Sequence, residues 1–321
     1  MKLPTLISLN LAFALAAKAQ AETIYVTLEK DNALAVVSGP GGTLEKTVKI
    51  GKRPRGIALS QDGKSIYVAV SDENVIKIID TTSLKVIGQL PSGEDPETFV
   101  VDPEGKLLFA SNEDDNQVTV IDLKTQKKIK AIPVGVEPEG IAASPDGQWI
   151  VSTSETTNMA HWIDRKTLTI VDNTLVDPRP RACAFTHDSQ QLWVSSEIAG
   201  TVSVLDTATR QPVSKISFRI PGVTQEKIQP VGIRIDPDRR YAYIALGPSN
   251  RVAVIDAKTY QVLDYWLVGQ RVWNLAFSPD HKRLYTTNGV SNDISIIDLE
   301  ARKVVKSVAV GQYPWGVAVK P

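Results

Sequence analysis

Between Gly51 and Leu90 the apolar residues come in four short runs, and every gap between runs is polar. Ile57 to Leu59 is followed by Gln61-Asp62-Gly63-Lys64, Ser65 to Val70 by a turn ending at Asn74, and Val75 to Ile79 by Asp80; Val86 to Leu90 closes the unit. Runs of this length, split by Asp, Gly, Asn and Ser, predict four antiparallel strands in a meander. A single meander carries two apolar faces and cannot bury both alone.

Repetition of the pattern supplies the partner faces. The Asp that ends the third run recurs as Asp80, Asp122, Asp164, Asp206, Asp256 and Asp298, at steps of 42, 42, 42, 50 and 42 residues. The residue before that run recurs as Asn32, Asn74, Asn116, Asn158, Gly200, Asn250 and Asn292, and the loop proline as Pro54, Pro96, Pro138, Pro180, Pro230, Val272 and Pro314. A four-stranded unit at this period predicts an all-β, seven-bladed β-propeller. Residues 24–50 supply only three strands. The missing inner strand is predicted at Trp315 to Val319, which would close the ring by completing the first blade and remove an open edge.

Composition adds a leader and removes several function classes. Lys2, the apolar stretch Leu3 to Ala17 and the small-residue site Ala19-Gln20-Ala21 read as a cleaved signal peptide over residues 1–21, with the propeller over 22–321 and a periplasmic location expected. The apolar stretch is short for a bilayer span, so no membrane insertion is expected. The 36 basic and 36 acidic residues balance, giving no general pull toward nucleic acid. Cys183 is the single cysteine and is expected to be a buried, inert thiol. The three histidines are scattered: His161 is expected to be structural, and His187 and His281 exposed. No zinc, haem, nucleotide-phosphate or hydrolase-elbow motif is present, so no metal and no cofactor are expected.

Chemistry is therefore sought on the face that carries the between-blade loops. The residue after each loop proline should stand at the channel mouth: Arg55, Glu97, Glu139, Arg181, Val231, Trp273 and Trp315. Two residues earlier come Arg53, Asp95, Glu137, Arg179, Gln229, Arg271 and Tyr313. One reading is a solvated rim with the exposed ion pairs Arg55–Glu97 and Glu139–Arg181. The other is a ligand site in which Trp273, Trp315 and Arg55, on consecutive blades, take a small planar anion by stacking and charge. A cation on Glu97, Glu139 and Asp95 lacks a ligand loop of fixed spacing. Asn112, Glu113, Asp114, Asp115, Glu155, Glu197 and Asn288 join this face from the second-to-third-strand turns and are expected to be solvated. Val272, in place of proline, suggests a looser loop before Trp273.

The repeats resemble the YVTN family of β-propellers. Ile24-Tyr25-Val26-Thr27, Tyr67-Val68-Ala69-Val70, Pro138-Glu139-Gly140-Ile141-Ala142 and Val254-Ile255-Asp256 carry the likeness. A narrower likeness, at Ser154-Glu155-Thr156-Thr157-Asn158-Met159, Gln229-Pro230-Val231-Gly232-Ile233 and Leu284-Tyr285-Thr286-Thr287-Asn288-Gly289, is to propellers associated with PQQ-dependent catabolism. That resemblance implies a non-enzymatic accessory protein whose partners are a periplasmic quinoprotein dehydrogenase system or its transport components. The family offers no catalytic residues to carry over; the ligand or partner site, read from the register of the loops, would be the ring Arg55, Glu97, Glu139, Arg181, Trp273, Trp315 and Arg271. The alternatives are a lactonase-like propeller hydrolase using acids and arginines at the mouth, and a binder of a cofactor or of single-stranded nucleic acid there.

Overall fold

The computed structural model describes residues 22–39 and 41–321; the leader expected over residues 1–21 lies outside them. Twenty-eight strands form seven four-stranded antiparallel sheets. The unit read between Gly51 and Leu90 is one sheet, in the order Pro54–Leu59, Ser65–Val70, Val75–Asp80 and Val86–Pro91. The closing strand is Pro314–Lys320, which pairs with Thr23–Leu28 from Thr23 opposite Lys320 to Val26 opposite Val317. Glu29 N–H then donates to Tyr313 C=O at 3.0 Å. The seven-bladed, strand-closed ring expected from the repeats is the observed architecture.

Core formation follows from the two-faced sheet. Each interior second and third strand is buried on both sides, and its apolar residues pack against those of the next blade. Trp162, Trp193, Tyr285 and Phe109 are the largest fully buried side chains. Each Val, Ile or Leu so enclosed contributes about 1.5–3 kcal/mol. Outer strands such as Thr43–Lys49 stay largely exposed and carry the charges.

The periodic Asn has a backbone cause. Asn32, Asn74, Asn116, Asn158, Asn250 and Asn292 all adopt positive φ, between 52° and 62°, the left-handed region that Asn tolerates. Gly200 takes the same position at φ 67°. Its lack of a side chain also serves the insertion, because a Cβ there would meet Gln225 at 2.7 Å and the Ile228 carbonyl at 3.1 Å. The inserted segment folds over residue 200 as a short 3-10 turn, Gln225–Lys227, and buries Ile220 and Ile228 beside Trp193 and Val202. Two departures in the repeat, the lost Asn and the extra residues, are thus one packing event.

Val272 does not loosen its blade. It is fully buried and bridges to Gly247 across the blade boundary, a stiff contact in place of proline's ring. His161 is held by Asn173 at 2.6 Å, Ser154 at 3.0 Å and Gly135 N–H at 2.9 Å, and burial lowers its pKa. His187 and His281 are exposed. Cys183 is half-buried rather than sealed; burial pushes its thiol up to about 12, so it is no thiolate at neutral pH.

Candidate functional site at the channel mouth

Three local devices build the mouth. First, the inner-strand ladder slips between the loop proline and the third residue after it, as at Pro54/Ile57, Pro96/Phe99, Pro138/Ile141 and Pro180/Cys183. This bulge takes Arg55, Glu97, Glu139 and Arg181 off the ladder and frees them to face the axis. Second, each Asn clamps the loop of the next blade. Asn32 Oδ1 accepts from Arg53 N–H, Asn74 from Asp95, Asn116 from Glu137, Asn158 from Arg179, Asn250 from Arg271 and Asn292 from Tyr313, at 2.8–3.0 Å. Each clamped residue itself has positive φ, strain that this over-determined loop sustains. Third, strand hydroxyls pin the mouth backbone: Thr27 donates to Arg55 C=O at 2.8 Å, Ser195 to Val231 C=O at 2.7 Å and Thr287 to Trp315 C=O at 2.6 Å.

The charged ring is paired and buried. Arg55 meets Glu97, and Arg53 reaches Glu97 at 2.8 Å and Asp95 at 2.6 Å. On the opposite sector Arg181 meets Glu139 at 3.0 Å and Glu155 at 2.5 Å, while Arg179 meets Glu155 at 2.9 Å and Glu197 at 3.0 Å. Arg271 completes this side at 3.5 Å from Glu197. The expected pairs exist, but the solvated rim does not: Glu97 is 0% exposed and Glu139 4%. Glu155, Glu197, Asn112 and Asn288, expected to be solvated, are buried as well. The cause is convergence, since seven loops crowd one axis and each turn is roofed by its neighbour.

The aromatic sector also differs from expectation. Trp315 is 5% exposed, with the Arg55 guanidinium 5.4 Å from its ring centre. Trp273 is half-buried, and Arg271 and Arg181 stand 4.5 Å and 5.8 Å from its centre. Cations therefore already occupy stacking positions that a planar ligand would need. All seven residues expected at the ring converge there: the five charged ones form two ion-paired sectors, and Trp273 and Trp315 lie against arginines rather than making one stacking platform.

Sequence reasoning put Glu113 on this face but expected it solvated, and it is the carboxylate that stands apart. Glu113 lines the mouth pocket of about 300 Å³ with Arg53, Arg55, Glu139, Arg179, Arg181, Glu197, Arg271 and Trp273. Among the described residues no Lys or Arg nitrogen lies within 4.0 Å of its carboxylate, whereas Glu97, Glu139, Glu155 and Glu197 each have such a partner. The signal was present: Glu113, Glu155 and Glu197 hold one register on three consecutive blades.

Proton affinities follow from this crowding. Burial, then the charge of Glu97, a hydrogen bond to it and the charge of Asp95, push Glu113 up to about 7. Burial and Glu139 push Glu97 up to about 7 against Arg55 and Arg53. Burial, with Glu155 and Glu113 adding to it, takes Glu139 to about 7 against Arg181 and Arg55. Burial works against the charge on Arg181, but Glu139, Glu155 and Glu197 outweigh it and hold its pKa above the ordinary value. Carboxylate oxygens of Asp95, Glu97 and Glu113 lie within 4.8 Å of one another. Arg53 and Arg55 already neutralise the first two, so the cluster resembles a shared-proton site more than a cation cage.

Comparison with known proteins gives the chain a family and a fold. A model of the choice-of-anchor I domain matches residues 110–282, more than half of the chain, and a model of the seven-bladed β-propeller lactonase matches residues 14–133. No curated protein matches. Among solved structures, a proposed 6-phosphogluconolactonase from Bacteroides fragilis superposes with a TM-score of 0.81 at 16% identity, covering 95% of this chain and 99% of its own. The periplasmic gluconolactonase of Pseudomonas aeruginosa gives 0.78 at 15% identity, covering 94% and 99%. Hydrazine synthase of Kuenenia stuttgartiensis gives 0.74 at 21% identity, covering 82% and 88%. At these identities the superpositions show the shared propeller fold.

The lactonase match and these lactonase-named neighbours overturn the expectation of a non-enzymatic accessory protein of quinoprotein alcohol oxidation. The physical counterpart is the mouth, where buried carboxyls poised near neutrality stand in place of a solvated rim.

Proposed function

The chain belongs to the choice-of-anchor I domain family, and from that premise and the partial lactonase match we propose that it is a hydrolase opening a lactone at the channel mouth. The observation that carries the reading is Glu113: a half-buried carboxyl with no guanidinium of its own, raised to about 7, in a pocket lined by Arg55, Arg181 and Arg271. A pKa near the working pH suits a general base. As carboxylate, Glu113 takes a proton from water while the water oxygen bonds to the lactone carbonyl carbon. The carbonyl oxygen gains the electron pair and is stabilised by a mouth guanidinium. The pair then re-forms the carbonyl, the ring C–O bond breaks, and the leaving ring oxygen takes the proton from Glu113. The product is a hydroxy acid, and no co-reactant beyond water is required.

Action in the periplasm is part of the proposal. It draws on the leader-like residues 1–21 and on the periplasmic gluconolactonase among the structural neighbours. The YVTN likeness of strands such as Ile24-Tyr25-Val26-Thr27 fits a lactonase-type propeller in which Thr27 pins Arg55.

A pH-stat assay on glucono-δ-lactone and its 6-phosphate tests the reading. Wild type should exceed spontaneous hydrolysis, with kcat/KM rising through about pH 7. Glu113→Gln should lose about 10²–10⁴-fold of kcat while melting within a few degrees of wild type. Full retention of kcat in Glu113→Gln would remove Glu113 from the chemistry; no turnover of either substrate by wild type would remove this lactone class.

A further inference from the structure

Below the mouth the axis holds a second cavity, of about 140 Å³, lined by Glu139, Arg181, Arg234, Asn274, Trp315 and apolar inner-strand residues such as Ile141. Arg234 interrupts the pattern of the inner strands. The equivalent positions in the other six blades are Ala58, Val100, Ala142, Ala184, Ala276 and Ala318, small residues that suit a narrow axis. Here one blade supplies a guanidinium instead.

That guanidinium lacks a counter-charge. Among the described residues no carboxylate lies within 4.0 Å of it, although twenty-three such pairs occur elsewhere. Its hydrogen bond runs from Nη1 to the neighbouring Ile233 carbonyl at 2.7 Å, which leaves the rest of its donor fork without a protein acceptor. A second donor lines the same cavity: Arg181 is 7% exposed, and its Nε is buried without a hydrogen-bond partner. Backbone donors nearby are already used. Gly140 N–H goes to Thr153, Gly316 N–H to Thr27 and Asn274 N–H to Thr287. Arg181 is already paired with Glu139 at 3.0 Å and Glu155 at 2.5 Å, and Glu197 stands 3.9 Å from its Nε, so Arg234 is the guanidinium of this lining without a counter-charge. An uncompensated cation at depth is costly unless an anion joins it.

We propose that this axial cavity is a binding site for a small carboxylate monoanion, seated between the Arg234 fork and Arg181 Nε. The cavity is too small for a sugar acid, and a planar carboxylate matches the two parallel donors of a guanidinium. Glu139 disfavours a dianion. The cavity shares Glu139 and Arg181 with the mouth pocket, but Arg234 lines only the cavity, and the inference does not depend on hydrolysis at the mouth.

Calorimetric titration of sodium formate into the full-length protein at constant ionic strength tests it. One saturable site per chain is expected, at least tenfold weaker in Arg234→Gln and unchanged in Arg271→Gln, whose side chain lines only the mouth. Arg234→Lys, which keeps the charge and loses the fork, should fall between wild type and Arg234→Gln, and it stands in if the Gln variant fails to fold. Absence of saturable binding overturns the proposal. So does equal affinity in both Arg234 variants and wild type, or loss of binding in Arg271→Gln alone, which would place the anion at the mouth.

Discussion

Glu97, Glu113 and Glu139 share an environment that favours their neutral forms, and this has a thermodynamic consequence beyond catalysis. Each has a folded pKa of about 7, above the roughly 4.3 of an unfolded glutamate. The folded protein thus holds more protons than the unfolded chain between these values, so their contribution is fully present below about pH 4.3 and lost as pH rises through about 7. Turn carboxylates such as Asp80, Asp122, Asp164 and Asp206 act in the opposite sense. Their pKa values are lowered by the Ser or Thr donors of their own turns, and their contribution is lost only as pH falls below the ordinary aspartate range. Between pH 5 and 8 the three mouth glutamates outweigh His161, whose lowered pKa works in the opposite sense. The melting temperature should fall as pH rises across this window, and the slope should be shallower in Glu113→Gln. A melting temperature that climbs from pH 5 to 8 would mean that the arginines hold all three glutamates ionised throughout.

At the scale of the element, the Asn clamp joins each blade to the next and does two separable jobs. It accepts a left-handed backbone, and its amide oxygen holds the loop that presents a mouth residue. Asn116→Ala loses both, while Asn116→Gly keeps the backbone freedom and loses only the bond to Glu137 N–H. The Ala variant should be destabilised by about 2–3 kcal/mol and the Gly variant by about 1 kcal/mol, as read by chemical denaturation. Equal losses would show that the side-chain bond alone matters. The fold was legible because such devices repeat: Asn, Asp and loop proline mark one register through the chain, and backbone geometry allows few other residues at those positions. The site was legible in part. Arg55, Glu97, Glu139 and Arg181 could be placed at the mouth from their register, and the pairs Arg55–Glu97 and Glu139–Arg181 from their adjacency. Burial could not be read, because Glu155 is enclosed by Arg179 and Arg181 of the next blade and Trp315 lies against Arg55 from near the other end of the chain, and a turn seen alone looks solvated.

The whole ring depends on one seam. Removing Trp315 to Pro321 strips the first blade of its inner strand and uncovers Tyr25, Val26 and Leu28, all buried in the intact ring. The truncated protein should lose cooperative melting altogether, as read by near-ultraviolet circular dichroism. Melting within a few degrees of the intact protein would show that the seam is dispensable.

Making that seam joins residues almost a whole chain apart. Loop-closure cost grows slowly with length, by about 0.6 kcal/mol per doubling, so the finished ring is not much penalised. Its assembly is another matter. Until Lys320 has been synthesised and has found Thr23, six complete blades stand beside a first blade whose strand Thr23–Leu28 shows an open edge. An unpaired edge accepts any strand of matching pattern, and the nearest match in a crowded compartment is Pro314–Lys320 of a second copy. The join that makes the ring seamless is therefore also the point at which two nascent chains can trade strands.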